Sequence, residues 1–339
     1  MTAKNLRPIH TNSFKATIDA KCAKPIPPPS NQPLTGQTAI VTGSNVGLGL
    51  ECCRQLLKMQ LSHLIMAVRS IERGEAAAVG LRKSFPQAKI EVWALDMLSY
   101  DSIQSFAQRC STELKRVNIA ILNAGITAKD FTINKSTGHE MIFQVNYLST
   151  AFLSLLLLPS LKKKSPSDAP GRLTVVSSGL GAYSEFKNYA SVPLIPSFDD
   201  GNGWSISAAA ERYNVSKTLV FMFVLKLGEH VESSEVIINT VDPGFCAGTD
   251  LHRNLGGPLK AIFGTAKVLI ARSLEHGSWT YIDAAVGKGE ESHGCLVSDW
   301  ELRAFHNLMY TPEGKKATDQ LWSETLDELK FAGVQEYIK

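Results

Sequence analysis

The chain has 339 residues, 44% of them hydrophobic, and a formal net charge of +3, which is enough apolar material for one sizeable core and argues against long disorder. In the first 35 residues Lys4, Arg7, Lys15, Lys21 and Lys24 stand against Asp19 alone, so the positive charge belongs to an N-terminal arm and the remaining body is near neutral. A near-neutral body lacks the basic stripe that a nucleic-acid groove needs.

In chain order, residues 1–34 read as a solvated arm and a stiff linker, because Pro25, Pro27, Pro28, Pro29 and Pro33 impose an extended backbone. No apolar leader follows Met1, and the longest apolar run, Ala151–Leu161, is shorter than a bilayer span and contains Pro159. A soluble, cytoplasmic protein without a membrane span is therefore expected. Apolar, β-branched runs then alternate with helical patterns: 38–42, 63–68, 90–95, 119–122, 173–176 and 236–241 read as strands, and 294–297 could add a seventh. Strands apolar on both faces and separated by helices indicate a parallel sheet covered on both sides. The expected fold is thus α/β, a single Rossmann-type doubly wound domain over residues 35–310 with a C-terminal helical extension over 311–339. Cys22, Cys52, Cys53, Cys110, Cys246 and Cys295 form no C-x-x-C pair, and the eight histidines are scattered. Neither a metal site nor a disulfide framework is expected.

The first strand runs directly into Gly43-Ser44-Asn45-Val46-Gly47-Leu48-Gly49, after which Leu50–Met59 reads as a helix. Glycines between a buried strand and a helix let the backbone approach a pyrophosphate, and the helix N-terminus receives its charge. In such folds an acid about 20 residues beyond the turn holds the ribose of NAD, whereas an arginine accommodates the 2′-phosphate of NADP. Arg69 occupies that position and no acid ends the second strand. The expected cofactor is NADP(H), with Arg69 pairing the phosphate and Ser44 or Asn45 assisting.

Downstream stand Asp96 at the end of the third strand, Asn123-Ala124-Gly125 after the fourth, Asn146 in a long helix and Ser177-Ser178 after the fifth. Tyr213-x-x-x-Lys217 opens a helix, and Pro243-Gly244 follows the sixth strand. With Thr42-Gly43-x-x-x-Gly47-x-Gly49, this ordered series resembles the short-chain dehydrogenase/reductase family over residues 35 to about 300. The segments Ala67-Val68-Arg69-Ser70, Arg73–Ala77 and Arg212–Lys217 are most similar to retinol-dehydrogenase-type and WW-domain-oxidoreductase-type reductases, and similar sequences are common in fungal natural-product pathways. The resemblance implies cofactor contacts from Gly43 to Gly49, from Asp96 and Met97, from Asn123, Ala124 and Gly125, and from Tyr213, Lys217, Pro243 and Gly244. It also implies that Lys217 holds the nicotinamide ribose and that Asn146 belongs to a proton relay. The family's hydroxyl residue five positions after the proline is Gly248 here, so either Thr249 takes over that contact through a loop shift or the contact is absent.

Tyr213 and Lys217 are four residues apart and share a helix face, where the ammonium and an oxidised nicotinamide would lower the phenol toward working pH. The resemblance implies that Ser178, the second of the pair, rather than Ser177, would hydrogen-bond the substrate oxygen as charge develops on it. A second pair, Tyr183 and Lys187, lacks a long apolar helix behind it. Residues 179–212 form an insertion rich in aromatics, and Tyr183, Phe186 and Trp204 are expected to line a lid over the nicotinamide, with Phe245, Leu251, Leu255 and Ile262 beyond Pro243-Gly244 forming the other wall of a cleft for a lipophilic carbonyl or alcohol, such as a polyketide, terpenoid or retinoid-like molecule. A homodimer or homotetramer is left open. Two alternatives share the fold: a redox-neutral isomerase, dehydratase or pericyclase, and a cofactor-sensing regulator.

Overall fold

A computed structural model of the chain describes residue 6 and residues 24–163, 169–248 and 271–338. Eight strands make one sheet in the order β3-β2-β1-β4-β5-β6-β7-β8. They are β1 Thr38–Thr42, β2 His63–Val68, β3 Lys89–Ala94, β4 Ile119–Leu122, β5 Gly171–Val176, β6 Val236–Asp242, β7 Cys295–Ser298 and β8 Glu301–Arg303. The first seven pair in parallel, and β8 returns antiparallel to β7. Only β8 was not anticipated from the sequence: it is three residues long and is formed by a two-residue hairpin turn, Asp299-Trp300, with φ of 54° and 63°. Positive φ at both positions suits a tight hairpin but carries no sequence signal when neither residue is glycine.

The helices are α1 Gly47–Lys58, α2 Ile71–Ser84, α3 Tyr100–Glu113, α4 Met141–Lys162, α5 Ile206–His230, α6 Leu274–Ile282 and α7 Pro312–Glu328. Two cores sandwich the sheet. Ile103 and Phe106 of α3, Phe152 and Leu155 of α4 and Leu219 and Phe221 of α5 pack on one face, while Cys52 and Leu56 of α1, Ala78 of α2 and Tyr281 of α6 pack on the other. Leu321 and Trp322 of α7 and the following Leu329 and Val334 join the first core, so the C-terminal extension is part of the same hydrophobic body. Burial of β-branched and aliphatic residues on both faces of β1, β4 and β6 is what a doubly covered parallel sheet requires. The strand order reverses between β1 and β4, and their C-terminal ends open the crevice in which such sheets bind ligands.

Helix α4 corrects one expectation. Pro159 does not interrupt it, and Met141–Lys162 is by length and composition long and apolar enough to cross a membrane, but 89% of its apolar window is buried within the protein. Pro159 lies in the last turn, where a missing N–H costs a single hydrogen bond and the packing of Leu155, Leu157, Leu158 and Leu161 keeps the chain helical.

Candidate active site

The glycine turn is built from two different constraints. Gly43 and Gly47 have φ of 62° and 60°, a region costly to residues with a side chain. Gly49 is constrained by space instead: a methyl group there would stand 2.6 Å from both the Gly43 carbonyl oxygen and Asn123 Nδ2. Asn123 donates to the carbonyls of Thr42 (2.9 Å) and Gly43 (3.3 Å), Ala124 N–H donates to Thr42 Oγ1 (2.9 Å), and Tyr281 Oη donates to Asn123 Oδ1 (3.0 Å). Asn123 thus ties the end of β4 to the turn after β1, and Tyr281, which the sequence did not single out, holds it from α6.

Among the described helices of eight residues or more, α1 alone begins without a side-chain cap. Ser70, Ser99, Glu140, Ser205, Ser273 and Thr311 cap the others, whereas Val46 has no cap bond and no acid lies in the first turn of α1. Its first N–H groups and positive dipole end therefore face the glycine turn. Val46 and Asn45 border this turn at the surface, Leu48 is buried in the core, and Ser44 is fully buried beneath the turn beside Cys53. Ser44 therefore does not present its hydroxyl to a ligand here. Arg69 is exposed at the end of β2 and makes no ion pair among the described residues. Asp96 is held in a turn, accepting the Leu98 N–H at 3.0 Å, and the Met97 side chain lies in the core.

On the other side of the crevice, Tyr213, Lys217, Ser178, Gly125 and Asn146 converge. Helix α5 begins at Ile206 behind the cap Ser205, two turns earlier than anticipated, so the end of the insertion is already catalytic helix. Lys217 Nζ lies 5.7 Å from the Tyr213 ring centre and donates to the Val176 carbonyl (3.1 Å). Ser178 hydrogen-bonds Tyr213, whereas Ser177 donates to the Lys217 carbonyl (3.0 Å) and is consumed structurally. A methyl group on Gly125 would stand 3.3 Å from Asn146 Oδ1 and 3.5 Å from Lys217 Nζ, which fixes how closely these groups approach. Asn146 sits in a π-helical turn, Gln144–Leu148; its Oδ1 accepts the Ile126 N–H (2.8 Å) and its Nδ2 donates to Ile126 O (3.0 Å) and Ser216 Oγ (3.1 Å). Its side-chain amide is occupied in bracing β4 against α5, and the widened turn is of a kind frequent at functional sites. By contrast, Tyr183 ends a short 3₁₀ turn and Lys187 is exposed and paired with Glu185 (2.5 Å), so this second pair shares no helix face.

In the protein alone, burial sets the direction of both the Tyr213 and Lys217 shifts. Burial pushes Tyr213 up to about 12, with the Ser178 hydrogen bond lowering it and Asp242 adding to the rise. Burial pushes Lys217 down to about 8. Lys217 donates to the Val176 carbonyl and not to the phenol.

The insertion also corrects the expected lid. Phe186 is 0% exposed, adopts φ of 42°, and packs against Tyr189 and Phe198, which stacks on Phe143 at 4.5 Å. Glu211 Oε1 accepts the N–H groups of Glu185 (2.7 Å) and Phe186 (3.2 Å), turning this ring inward. Phe186 is a core residue, not part of a cleft wall. Trp204 is half-buried, donates to the Lys129 carbonyl (2.9 Å), packs edge-on against Phe131 and lies 5.6 Å from the Arg212 guanidinium. Tyr183 and Phe245 are likewise half-buried. Leu180, two residues beyond Ser178 and 46% exposed, is an apolar surface the sequence reading missed. Thr249, Leu251, Leu255 and Ile262 lie outside the described residues. Of the cysteines, Cys52, Cys53, Cys110, Cys246 and Cys295 are buried free thiols, and no cluster among the described residues could hold a metal ion.

The short chain dehydrogenase family profile matches residues 37–191. The chain is similar to the short chain dehydrogenase/reductase mfmJ of Annulohypoxylon moriforme, 46% identical across 94% of this chain and 91% of that protein. It is also similar to the short chain dehydrogenase virL of Hypocrea virens, 41% identical across 96% of each chain. Among solved structures, NADPH-bound carbonyl reductase from chicken fatty liver matches with a TM-score of 0.59 at 19% identity, covering 82% of this chain and 97% of that one. L-sorbose reductase from Gluconobacter frateurii, complexed with NADPH and L-sorbose, matches with a TM-score of 0.58 at 18% identity, covering 78% and 95%. At such identities these two likenesses show the fold alone.

Proposed function

Because the chain belongs to the short-chain dehydrogenase/reductase family, we propose that it reduces a carbonyl on a lipophilic small molecule with NADPH, as a step in a fungal secondary-metabolite pathway. The observation that carries the reading is the convergence of the hydrogen-bonded Ser178 and Tyr213 with Lys217 across from an uncapped helix behind a glycine turn. The residues suit the cofactor: Gly43, Gly47 and Gly49 keep the turn free of side chains, the α1 N-terminus offers N–H donors to a pyrophosphate, and exposed Arg69 is available to a 2′-phosphate. When bound, the nicotinamide supplies the hydride.

The protein's own groups then handle the proton. A phenol raised by burial stays protonated at neutral pH and suits the donor of a reduction: Tyr213 gives its proton to the substrate oxygen while Ser178 hydrogen-bonds that oxygen as charge develops. The Lys217 ammonium favours the resulting phenolate and can hydrogen-bond the nicotinamide ribose. Exposed Leu180 beside Ser178, with Tyr183 and Phe245 nearby in sequence to the two catalytic loops, supports an apolar substrate.

The test is NADPH absorbance with a panel of apolar and sugar-like carbonyls, followed by product analysis. The expected result is NADPH-dependent reduction of apolar ketones or aldehydes that Tyr213→Phe lowers by about 10²–10⁴-fold. Arg69→Asp should shift preference from NADPH toward NADH. Product formation without net NADPH consumption would favour the redox-neutral alternative, and near-normal turnover in Tyr213→Phe would overturn the assignment.

A further inference from the structure

Asp242 ends β6 immediately before the Pro243-Gly244 turn and is 7% exposed; beyond its small contribution to the raised Tyr213 phenol, the chemistry above gives it no role. Its Oδ1 accepts the Gly244 N–H at 3.0 Å, its Oδ2 accepts the Ser298 hydroxyl at 3.0 Å from the end of β7, and the Gly179 N–H donates to the same carboxylate. Gly179 directly follows Ser178, and a methyl group on it would stand 2.7 Å from Asp242 Oδ2. One buried side chain therefore joins the loop carrying Ser178, the Pro243-Gly244 turn, and the last parallel strand.

The same turn is held from its other side. Arg272 donates to the Pro243 carbonyl (3.2 Å), is ion-paired to Asp299 and lies 4.9 Å from the Trp300 ring centre; Cys246 Sγ also contacts the Pro243 carbonyl at 3.4 Å. Ser298 and Asp299 are consecutive, so the unanticipated β7–β8 hairpin anchors both arms of this network. An ionised carboxylate offers only acceptors, which matches three donors aimed at it. An asparagine in its place would turn an NH₂ group toward the N–H of either Gly179 or Gly244 in each of its two orientations.

We propose that Asp242 is a positioning residue: it fixes Ser178 relative to Tyr213 and to the Pro243-Gly244 turn, and so sets the geometry in which the substrate oxygen is held. The proposal rests on the reductase reading above. It is tested with Asp242→Asn and Ser298→Ala by amide hydrogen exchange in the full-length protein, and by NADPH-driven reduction of 9,10-phenanthrenequinone as an apolar probe. In Asp242→Asn, exchange at Gly179 and Gly244 should quicken by about tenfold or more with β1 amides unchanged, as for loss of a hydrogen bond to a charged group. Turnover should fall about tenfold or more while KM moves by less than about threefold, the split expected when an interaction made in the transition state is lost. Ser298→Ala, which keeps the charge, should show a smaller change confined to the same two glycines. Unchanged exchange at both glycines overturns the proposal, as does acceleration spread evenly through β1 with turnover intact. If Asp242→Asn does not fold, Ser298→Ala decides by the same exchange criterion. A parallel Tyr213→Phe measurement keeps the two readings apart: retained turnover there refutes the reductase assignment, whereas the exchange result still judges Asp242.

Discussion

Replacing Phe186 by alanine separates a core role from a substrate-lid role. The ring is 0% exposed, its centre lies 6.2 Å from Phe198 and 6.4 Å from Tyr189, and the cluster continues through Phe198 to Phe143. Truncating such a ring costs about 3–5 kcal/mol. At roughly 2–4 °C per kcal/mol for a domain of this size, the melting temperature should fall by about 6–20 °C. The backbone sharpens the forecast. With φ of 42°, residue 186 is in the left-handed region, which costs a side-chain-bearing residue about 1–2 kcal/mol, against about 0.5–1 kcal/mol for the extra chain freedom of glycine. Phe186→Gly should therefore be as stable as Phe186→Ala or more so by up to about 1.5 kcal/mol, the reverse of their usual order. Thermal and urea unfolding measure both variants, and kinetics on small and bulky apolar carbonyls measure the cleft. A Phe186→Ala protein that melts like wild type but loses preference for bulky carbonyls would refute the core assignment.

Gly49→Ala should weaken NADPH binding by about tenfold or more, measured by fluorescence titration, because its methyl group would meet the Gly43 carbonyl at 2.6 Å and force the turn open. Wild-type affinity in that variant would mean the turn does not carry the pyrophosphate. His139 predicts a pH dependence of stability: burial lowers its imidazole, but hydrogen bonds to Asp199 (2.9 Å) and Glu328 (3.2 Å) raise it further, to about 9. A raised folded-state value means the stabilisation is complete below the unfolded value near 6.5 and is lost as pH climbs through about 9. With its carboxylate partners partly exposed, the loss should be about 1–3 kcal/mol. Urea unfolding of His139→Gln should be flatter over that range, and an equal slope in both proteins would count against it. Trp204→Ala should cost only about 1–2 kcal/mol, since the ring is half-buried. It should alter kinetics through Arg212, the neighbour of Tyr213; unchanged kinetics would make the ring a surface brace alone.

The sequence by itself determined the order of the parallel strands' segments, the glycine turn and the spacing of Tyr213 and Lys217, because periodicity, glycine placement and i,i+4 geometry are local. It also reached Ser178 and Asn146 through ordered motifs, although the saturated side-chain amide of Asn146 is visible only once Ile126 and Ser216 are brought to it. Tertiary structure decided the rest. An aromatic such as Phe186 reads the same in sequence whether it faces a cleft or a core; its fate was set by Glu211, a residue 25 positions away that turns its backbone inward. The direction of the Tyr213 shift in the protein alone likewise depended on how much water the fold removes from the phenol, which spacing cannot show. Asp242 carried no motif of its own, yet it gathers donors from Gly179, Gly244 and Ser298. Residues up to 63 positions from Asp242 meet there because a parallel sheet brings the ends of β5, β6 and β7 side by side, a proximity that hydrogen-bonded register creates and local sequence cannot encode.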